Sequence, residues 1–151
     1  MSQDGEVIHL ETSLGYLLKE ASSALRAAME EVLRPLGMTV THYSCLELLA
    51  QRPGLSNSEL SRGTFVTRQS MNVLLQALER DGSVTRATEA PVGKALPTRL
   101  TPLGEQKRQE ASAAVRSVEV RMLGGMSDAE QAGARRILRS MIHSLRDAGD
   151  S

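Results

Sequence analysis

The chain has 151 residues, of which 40% are apolar, and we expect a single domain over residues 1–151 with one hydrophobic core. A single cysteine excludes an intrachain disulfide, and three scattered histidines provide no zinc spacing, so we expect no metal and no cofactor. Apolar runs are too short to span a membrane and the N-terminus lacks a signal-peptide pattern, which predicts a cytoplasmic protein with no membrane partner.

Charge is segregated along the chain although the formal net charge is zero. Residues 1–51 carry three basic side chains against seven acidic ones, whereas residues 52–108 carry nine basic against five acidic. Residues 109–151 are balanced at six of each. A basic segment favours binding of a polyanion, but a solvated surface can have the same composition, so the charge counts only together with the motifs below.

Two helices are predicted before residue 54. Apolar residues recur at three- and four-residue intervals over residues 7–33, which predicts one long helix ending before Pro35. Thr41 is placed to cap a second, shorter helix, and the proline and glycine of residues 52–54 end it.

A third helix and a turn follow. Ser56 and Glu59 have the spacing of a capping box, which predicts a helix from this point to about Gly63. Residues 63–66 predict a tight turn that contains a glycine and a buried aromatic side chain, Phe65.

The fourth helix is predicted to begin after a cap at Thr67 and to end at Asp81 and Gly82. Its inner face is apolar and its outer face polar. The expected inner residues are Met71, Leu74, Leu75 and Leu78. Two short helices joined by a tight turn form a helix-turn-helix.

A β-hairpin is predicted next, from residues 83–88 and 95–100, which alternate with period two around a flexible tip at 89–94. Pro97 cannot donate to a sheet ladder, so the second strand is expected at an edge. This hairpin corresponds to the wing of a winged helix-turn-helix.

Two further helices complete the chain. Thr101 and Pro102 begin a helix that reaches about Met122, and a capping box of Ser127 and Glu130 opens the last one. Its expected inward residues are Ile137, Leu138, Met141, Ile142 and Leu145.

The predicted fold class is therefore mainly α with a small β-hairpin, a winged helix-turn-helix with N- and C-terminal dimerisation helices. The DNA-binding lobe is expected at residues 36–102, and the dimerisation helices at 6–34 and 103–148. Apolar faces on the first, fifth and sixth helices exceed what one small module can cover, which predicts a homodimer.

Five segments, at residues 36–43, 53–60, 67–72, 78–86 and 100–104, together resemble the MarR family, the multiple antibiotic resistance regulators. The resemblance rests on their order and spacing and extends over nearly the whole chain. It implies a DNA-binding transcriptional repressor that a small molecule or another signal releases. Many members have an Asp-x-Arg unit in the wing, whereas this wing tip has Lys94 in place of that arginine.

The outer face of the fourth helix is expected to contact base edges in the major groove of double-stranded DNA. Arginine pairs with guanine, and asparagine or glutamine with adenine, each pair contributing about 1–3 kcal/mol of discrimination. A merely solvated helix face is the alternative. The base-contacting candidates are Thr67, Arg68, Gln69, Ser70, Asn72 and Gln76.

Phosphate contacts are expected from four basic side chains, Arg62, Arg86, Lys94 and Arg99. For Arg86 and Arg99, the alternative is an ion pair with Glu89 or Glu105. A twofold dimer would place two recognition helices about one DNA turn apart and would bind a pseudo-palindromic operator.

The resemblance also implies an effector site between the dimerisation helices and the DNA-binding lobe. Tyr16, His42 and Tyr43 are the expected pocket residues, with helix capping or an interface role as the alternative for His42. Cys45 is surrounded by apolar neighbours, which favours a buried, inert thiol over a redox sensor.

Two other functions compete with DNA binding. An enzyme is disfavoured, because the sequence has no glycine-rich phosphate loop, no nucleophile elbow and no clustered acid, base or metal ligands, so no catalytic residue is assigned. A winged-helix protein-interaction module or antirepressor would use the same helix face to bind a protein. Steep salt dependence would distinguish a DNA complex from such a protein complex.

Overall fold

The computed structural model describes residues 7–87 and 96–149, and side chains up to residue 147. The mainly helical fold class with a small hairpin is confirmed. Two compact units are present, Met1–Val118 and Glu119–Ser151, and the second begins within the fifth helix. In chain order the elements are α1 (Leu14–Leu33), a 3₁₀ turn (Arg34–Leu36), α2 (Val40–Gln51), α3 (Asn57–Thr64), α4 (Arg68–Arg80), β1 (Val84–Arg86), β2 (Thr98–Leu100), α5 (Pro102–Leu123) and α6 (Asp128–Gly149).

The first helix begins at Leu14 and not at Val7, so the predicted start was wrong. Ser13 caps it by accepting a hydrogen bond from the Tyr16 backbone N–H at 3.2 Å. The Ser13 backbone N–H instead closes a turn on the His9 carbonyl at 2.9 Å. The apolar spacing continues through this turn, and this is why the helix was predicted to begin too early. Periodicity detects residues that share a face but does not locate the cap.

The cap of α2 is Thr39 and not Thr41. The Thr39 backbone is extended, and its side chain accepts a hydrogen bond from the His42 backbone N–H at 3.0 Å. Both threonines can cap a helix, and they lie only two residues apart. Because the backbone turns helical already at Val40, Thr41 belongs to the first turn of α2.

The capping box at Ser56 and Glu59 is confirmed, with the two reciprocal bonds both at 3.2 Å. The expected burial of Phe65 was wrong, since this side chain is 84% exposed. Phe65 ends α3 in the left-handed conformation, with φ of 62°. Gly63 lies inside α3, where a Cβ atom would stand 2.7 Å from Leu48 Cδ1, so this glycine serves the packing of α3 on α2.

The core of the first unit is aliphatic. The inner face of α4 is confirmed, with Met71, Leu75 and Leu78 fully buried and Leu74 partly buried. Each fully buried side chain of this kind contributes about 1.5–3 kcal/mol to folding. Other buried members of this core are Leu33, Cys45, Leu46, Leu49, Leu60 and Val84.

The hairpin is antiparallel, with Val84 paired to Leu100 and Arg86 paired to Thr98. As expected, β2 is an edge strand of this two-stranded sheet, but its outer side is not free at Thr98. The Thr98 N–H donates to the Leu55 carbonyl at 3.0 Å, and the Gly54 N–H donates to the Thr98 carbonyl at 3.0 Å. The loop before α3 therefore covers this edge, which periodicity in the hairpin alone does not reveal.

Both predicted caps after the hairpin are confirmed. Thr101 accepts from the Gly104 N–H at 3.0 Å, and Ser127 accepts from the Glu130 N–H at 3.1 Å. Within the second unit, the apolar residues of α6 remain exposed in the single chain. Ile137, Leu138, Ile142 and Leu145 are between 43% and 77% exposed.

Candidate nucleic-acid interface

The N-terminus of α4 is fixed by Thr67. Its Oγ1 accepts from the Ser70 N–H at 3.0 Å and its hydroxyl lies 3.0 Å from the Ser70 hydroxyl oxygen. Both candidates therefore have a structural role in the helix cap, and both side chains remain exposed. Contact with bases by these two hydroxyls stays a prediction.

The other candidates lie together on the outer face of α4. Arg68, Gln69, Asn72 and Gln76 are exposed, because burial of the opposite face against α3 and the core leaves these positions outside. Val73 lies among them and is 60% exposed. The sequence analysis missed it, although an apolar residue on a polar helix face was a visible signal, and its methyl groups suit contact with a thymine methyl.

Arg86 is engaged within the lobe. Its Nε donates to Glu79 Oε1 at 2.7 Å, its Nη2 lies 2.6 Å from the same oxygen, and its Nη1 donates to Asn72 Oδ1 at 3.3 Å. Only 20% of its side chain is exposed. The expected phosphate ligand is thus paired with α4, because β1 turns back along that helix directly after Gly82. Glu89, the alternative partner, lies outside the described residues.

The remaining basic candidates have different surroundings. Arg62 is exposed and donates to the Ser58 hydroxyl at 2.8 Å. Arg99 is exposed beside Gly54, with Nη2 3.3 Å from the place where a Cβ of that glycine would stand. Lys94 lies outside the described residues.

The alternative pairing of Arg99 with Glu105 is not formed. Glu105 instead accepts from Arg108, at 2.6 Å from Nη2 and 3.0 Å from Nε. The Arg108 hydrogen bonds lower the pKa of Glu105 although partial burial opposes them. Arg99 is therefore left available for a phosphate.

A cleft of about 270 Å³ lies on this surface, between α3, α4 and the hairpin. Among the described residues, the buried Oδ1 of Asn57 has no hydrogen-bond partner. The cleft is lined by Asn57, Ser58, Arg68, Arg86 and Leu96. It brings together two candidate arginines from different elements.

Tyr16, His42 and Tyr43 line neither of the two cavities described in this section, and their role in an effector pocket stays a prediction. Tyr16 is 43% exposed on α1. Burial lowers the pKa of the half-buried His42, opposed by Asp81, and its Nε2 has no partner among the described residues. The Tyr43 hydroxyl donates to Glu47 at 2.8 Å, and burial followed by Glu47 raises its pKa to about 12.

A larger cavity of about 530 Å³ lies elsewhere, between α1, the start of α2 and the turn that precedes α4. None of the three expected pocket residues lines it. Its polar lining comes from Ser22 and Arg26 on α1, from Thr41 and Ser44 on α2, and from Thr64 at the end of α3. The full lining is Ser22, Leu25, Arg26, Met29, Val40, Thr41, Ser44, Gly63, Thr64, Phe65 and Val66.

Cys45 is fully buried, with Sγ 4.0 Å from Met71 Sδ. Burial raises the pKa of this thiol to about 12. The thiolate, which is the reactive form, is therefore negligible near neutral pH. Among residues 7–87 and 96–149, no cluster of three metal-binding side chains is found, and no helix there is long and apolar enough to cross a membrane.

Comparisons with known proteins place this surface in a family context. A model of the MarR family matches residues 36–95. The HTH-type transcriptional repressor Rv2887 of Mycobacterium tuberculosis is 38% identical over 128 residues, covering 85% of this chain and 92% of the relative. A solved structure of Rv2887 with DNA is 36% identical with a TM-score of 0.72, covering 86% of this chain and 98% of that one. Rv2887 with salicylic acid is 38% identical with a TM-score of 0.70, covering 86% and 96%.

Proposed function

The chain belongs to the MarR family, and from this premise we propose that it is a sequence-specific, double-stranded DNA-binding repressor of transcription that acts as a homodimer and is released by a small molecule. The observation that carries the proposal is the exposed polar face of α4, held by the Thr67 cap and by the buried opposite face. The similar repressor Rv2887, solved with DNA, supports it. In this role the protein acts in the cytoplasm, at the chromosome, and catalyses no reaction.

Sequence discrimination comes from the first three turns of α4. A helix lying in the major groove presents its N-terminal side chains to base edges. Arg68 has a planar fork that fits the two acceptors of guanine, while the amides of Gln69 and Gln76 can both donate and accept. These three side chains project from one exposed face.

Phosphate binding comes from exposed arginines around that helix. Arg62 lies on α3, before α4 in the chain, and Arg99 lies on β2, after it. Both side chains are exposed. Each neutralised phosphate releases counterions and steepens the salt dependence of binding by about 0.9 in a log–log plot. Such contacts position the protein on the duplex but do not select its sequence.

Dimerisation covers the apolar faces that the single chain leaves open. In the first unit, α1 exposes Leu14, Leu17 and Leu18 by 40% to 67%. In the second unit, α6 exposes a stripe that includes Leu138 and Ile142. Exposed apolar faces of this kind are typical of protein–protein interfaces, and a second copy covers them by twofold symmetry. The helices α1, α5 and α6 then serve in dimerisation and residues 36–102 as the DNA-binding lobe.

The 530 Å³ cavity is the proposed effector site. It has apolar walls suited to an aromatic ring and one cationic lining residue, Arg26, whose Nε pairs with Glu30 at 3.1 Å and whose other donors remain for an acid. Its wall includes Phe65 and Val66, directly before α4, so an occupant would press on the turn that sets the recognition helix. Binding of salicylic acid by Rv2887 supports an aromatic carboxylate as the ligand class.

Replacing Arg26 with methionine should raise the salicylate concentration that releases DNA by about tenfold or more, because a charge-assisted hydrogen bond is lost. The measurement is a salicylate titration of a preformed protein–operator complex, followed by fluorescence anisotropy. Arg34→Met is the matched control, since this exposed arginine does not line the cavity. Equal salicylate sensitivity in both variants and the unchanged protein would contradict the assignment of this cavity.

The proposed function is tested by selecting bound fragments from sheared genomic DNA with the purified protein. Repeated enrichment of one pseudo-palindromic sequence is the expected result, because a twofold dimer presents two identical helices about one helical turn apart. Fragments that share no sequence would leave the outer face of α4 to a protein partner instead.

A further inference from the structure

The contact between Arg86 and Asn72 joins the hairpin to the recognition face. Arg86 Nη1 lies 3.3 Å from Asn72 Oδ1, and two other nitrogens of the same guanidinium hold Glu79 at 2.7 and 2.6 Å. Asn72 is exposed on the outer face of α4, while Arg86 is four-fifths covered. Arg86, on β1, therefore contacts two residues of α4, Asn72 and Glu79, which are seven positions apart.

This contact fixes which end of the Asn72 amide faces outward. A guanidinium has five N–H donors and no acceptor, so the atom that approaches it must be the carbonyl oxygen of the amide. The amino group of Asn72 occupies the other branch of the planar amide. Arg86 thus holds the acceptor of Asn72 on the protein side and leaves the two amino donors for a ligand.

We propose that Arg86 determines base specificity through Asn72, by making this residue select guanine instead of adenine. A free asparagine pairs with adenine by donating to N7 and accepting from the N6 amino group. Because Oδ1 is turned toward Arg86 on the protein side, the Asn72 oxygen and amino group do not face an adenine together, and the bidentate pair with adenine N6 and N7 is lost. Guanine presents two adjacent acceptors, O6 and N7, and both match the amino group. The inference rests on the proposed DNA-binding function and specifies how one position is recognised.

Glu79 makes Arg86 a positioning residue instead of a phosphate ligand. Its carboxylate neutralises the guanidinium and occupies two of its donors. A neutralised arginine releases few counterions from DNA, so Arg86 should add little to the salt dependence of binding. This separates it from Arg99, which is exposed and pairs with no described carboxylate.

The test compares operators that carry guanine or adenine at the base pair where Asn72→Ala abolishes selectivity. The unchanged protein should prefer guanine by about tenfold, the value of one good side-chain–base contact. Arg86→Met should remove or reverse this preference, because Oδ1 becomes free for adenine N6. Arg86→Lys should do the same while keeping the charge, because a single ammonium lacks the fork that reaches Glu79 and Asn72 together. This second variant carries the test if methionine impairs folding, which thermal melting would reveal.

Two controls separate positioning from general damage. In the Asn72→Ala background, Arg86→Met should leave the guanine-to-adenine ratio unchanged. The salt dependence of DNA binding by the single variant Arg86→Met should equal that of the unchanged protein. Arg99→Met should instead lower the log–log slope by about 0.9 for each lost phosphate contact. A guanine preference that survives both Arg86 variants, or a slope that falls as it does for Arg99→Met, overturns the inference alone. If the unchanged protein selects no operator, the proposed function itself fails.

Discussion

Aspartate at both Leu138 and Ile142 should convert the dimer to a monomer and weaken operator binding by at least about 100-fold. The two side chains are 43% and 48% exposed in the single chain and lie on one face of α6. Burying two unpaired carboxylates in an apolar interface is strongly unfavourable. A monomer loses the second half-site, and linked binding of two sites typically raises affinity by 10²–10⁴.

Sedimentation equilibrium and operator titration measure these two effects on the same sample. Ser140→Asp is the matched control, because Ser140 is exposed and lies on the side of α6 opposite Leu138 and Ile142. It introduces the same charge and should remain dimeric with unchanged affinity. A double variant that stays dimeric, or that binds the operator normally as a monomer, would show that α6 does not form the interface.

Arg68→Ala should lower affinity for the operator by about 100-fold while leaving binding to unrelated DNA nearly unchanged. A bidentate arginine–guanine pair contributes about 1–3 kcal/mol, and a dimer makes this pair twice. Arg68 is exposed in the first turn of α4 and lines the cleft beside the hairpin. Loss of a phosphate contact would instead weaken all sequences alike.

Competition titrations with operator and random duplex give the ratio directly. Arg34→Ala removes an exposed arginine outside the recognition helix and should change neither affinity. A uniform loss for both duplexes would assign Arg68 to the phosphate backbone, and no loss would remove it from the interface.

The helix-turn-helix was predictable because its signals are local. The capping box of Ser56 and Glu59 and the cap at Thr67 each consist of a side chain that bonds a backbone N–H three residues away. The inner face of α4 follows from helical period alone. These contacts need no knowledge of distant residues, so the two helices of the helix-turn-helix and the exposed face of α4 could be predicted from the sequence.

Predictions from the sequence were wrong where two neighbouring residues could both perform the same local role, or where contacts with residues distant in the chain determine the structure. Thr39 and Thr41 are both competent caps, and only the extended backbone at Thr39 selects one. The turn after α3 has its left-handed residue at Phe65, whereas the glycine of this segment, Gly63, lies inside α3 against Leu48.

The environment of Arg86 and the cavity could not be derived from spacing. Arg86 meets Glu79 and Asn72 because the hairpin folds back along α4, which is a tertiary event. Likewise, the cavity beside Arg26 forms where α1, α2 and the turn before α4 meet. His42 and Tyr43, which were predicted for an effector pocket, do not line this cavity, since residue chemistry alone does not specify which side of α2 faces α1.

Selection of genomic fragments by the unchanged protein, at low and at physiological salt, tests the central claim most directly. The account predicts one enriched pseudo-palindrome with half-site centres about 10 base pairs apart or a multiple of that spacing, bound more weakly as salt rises. Absence of any enriched sequence at either salt, with the protein shown to be folded and dimeric, would contradict the account and favour a protein-binding role for the outer face of α4.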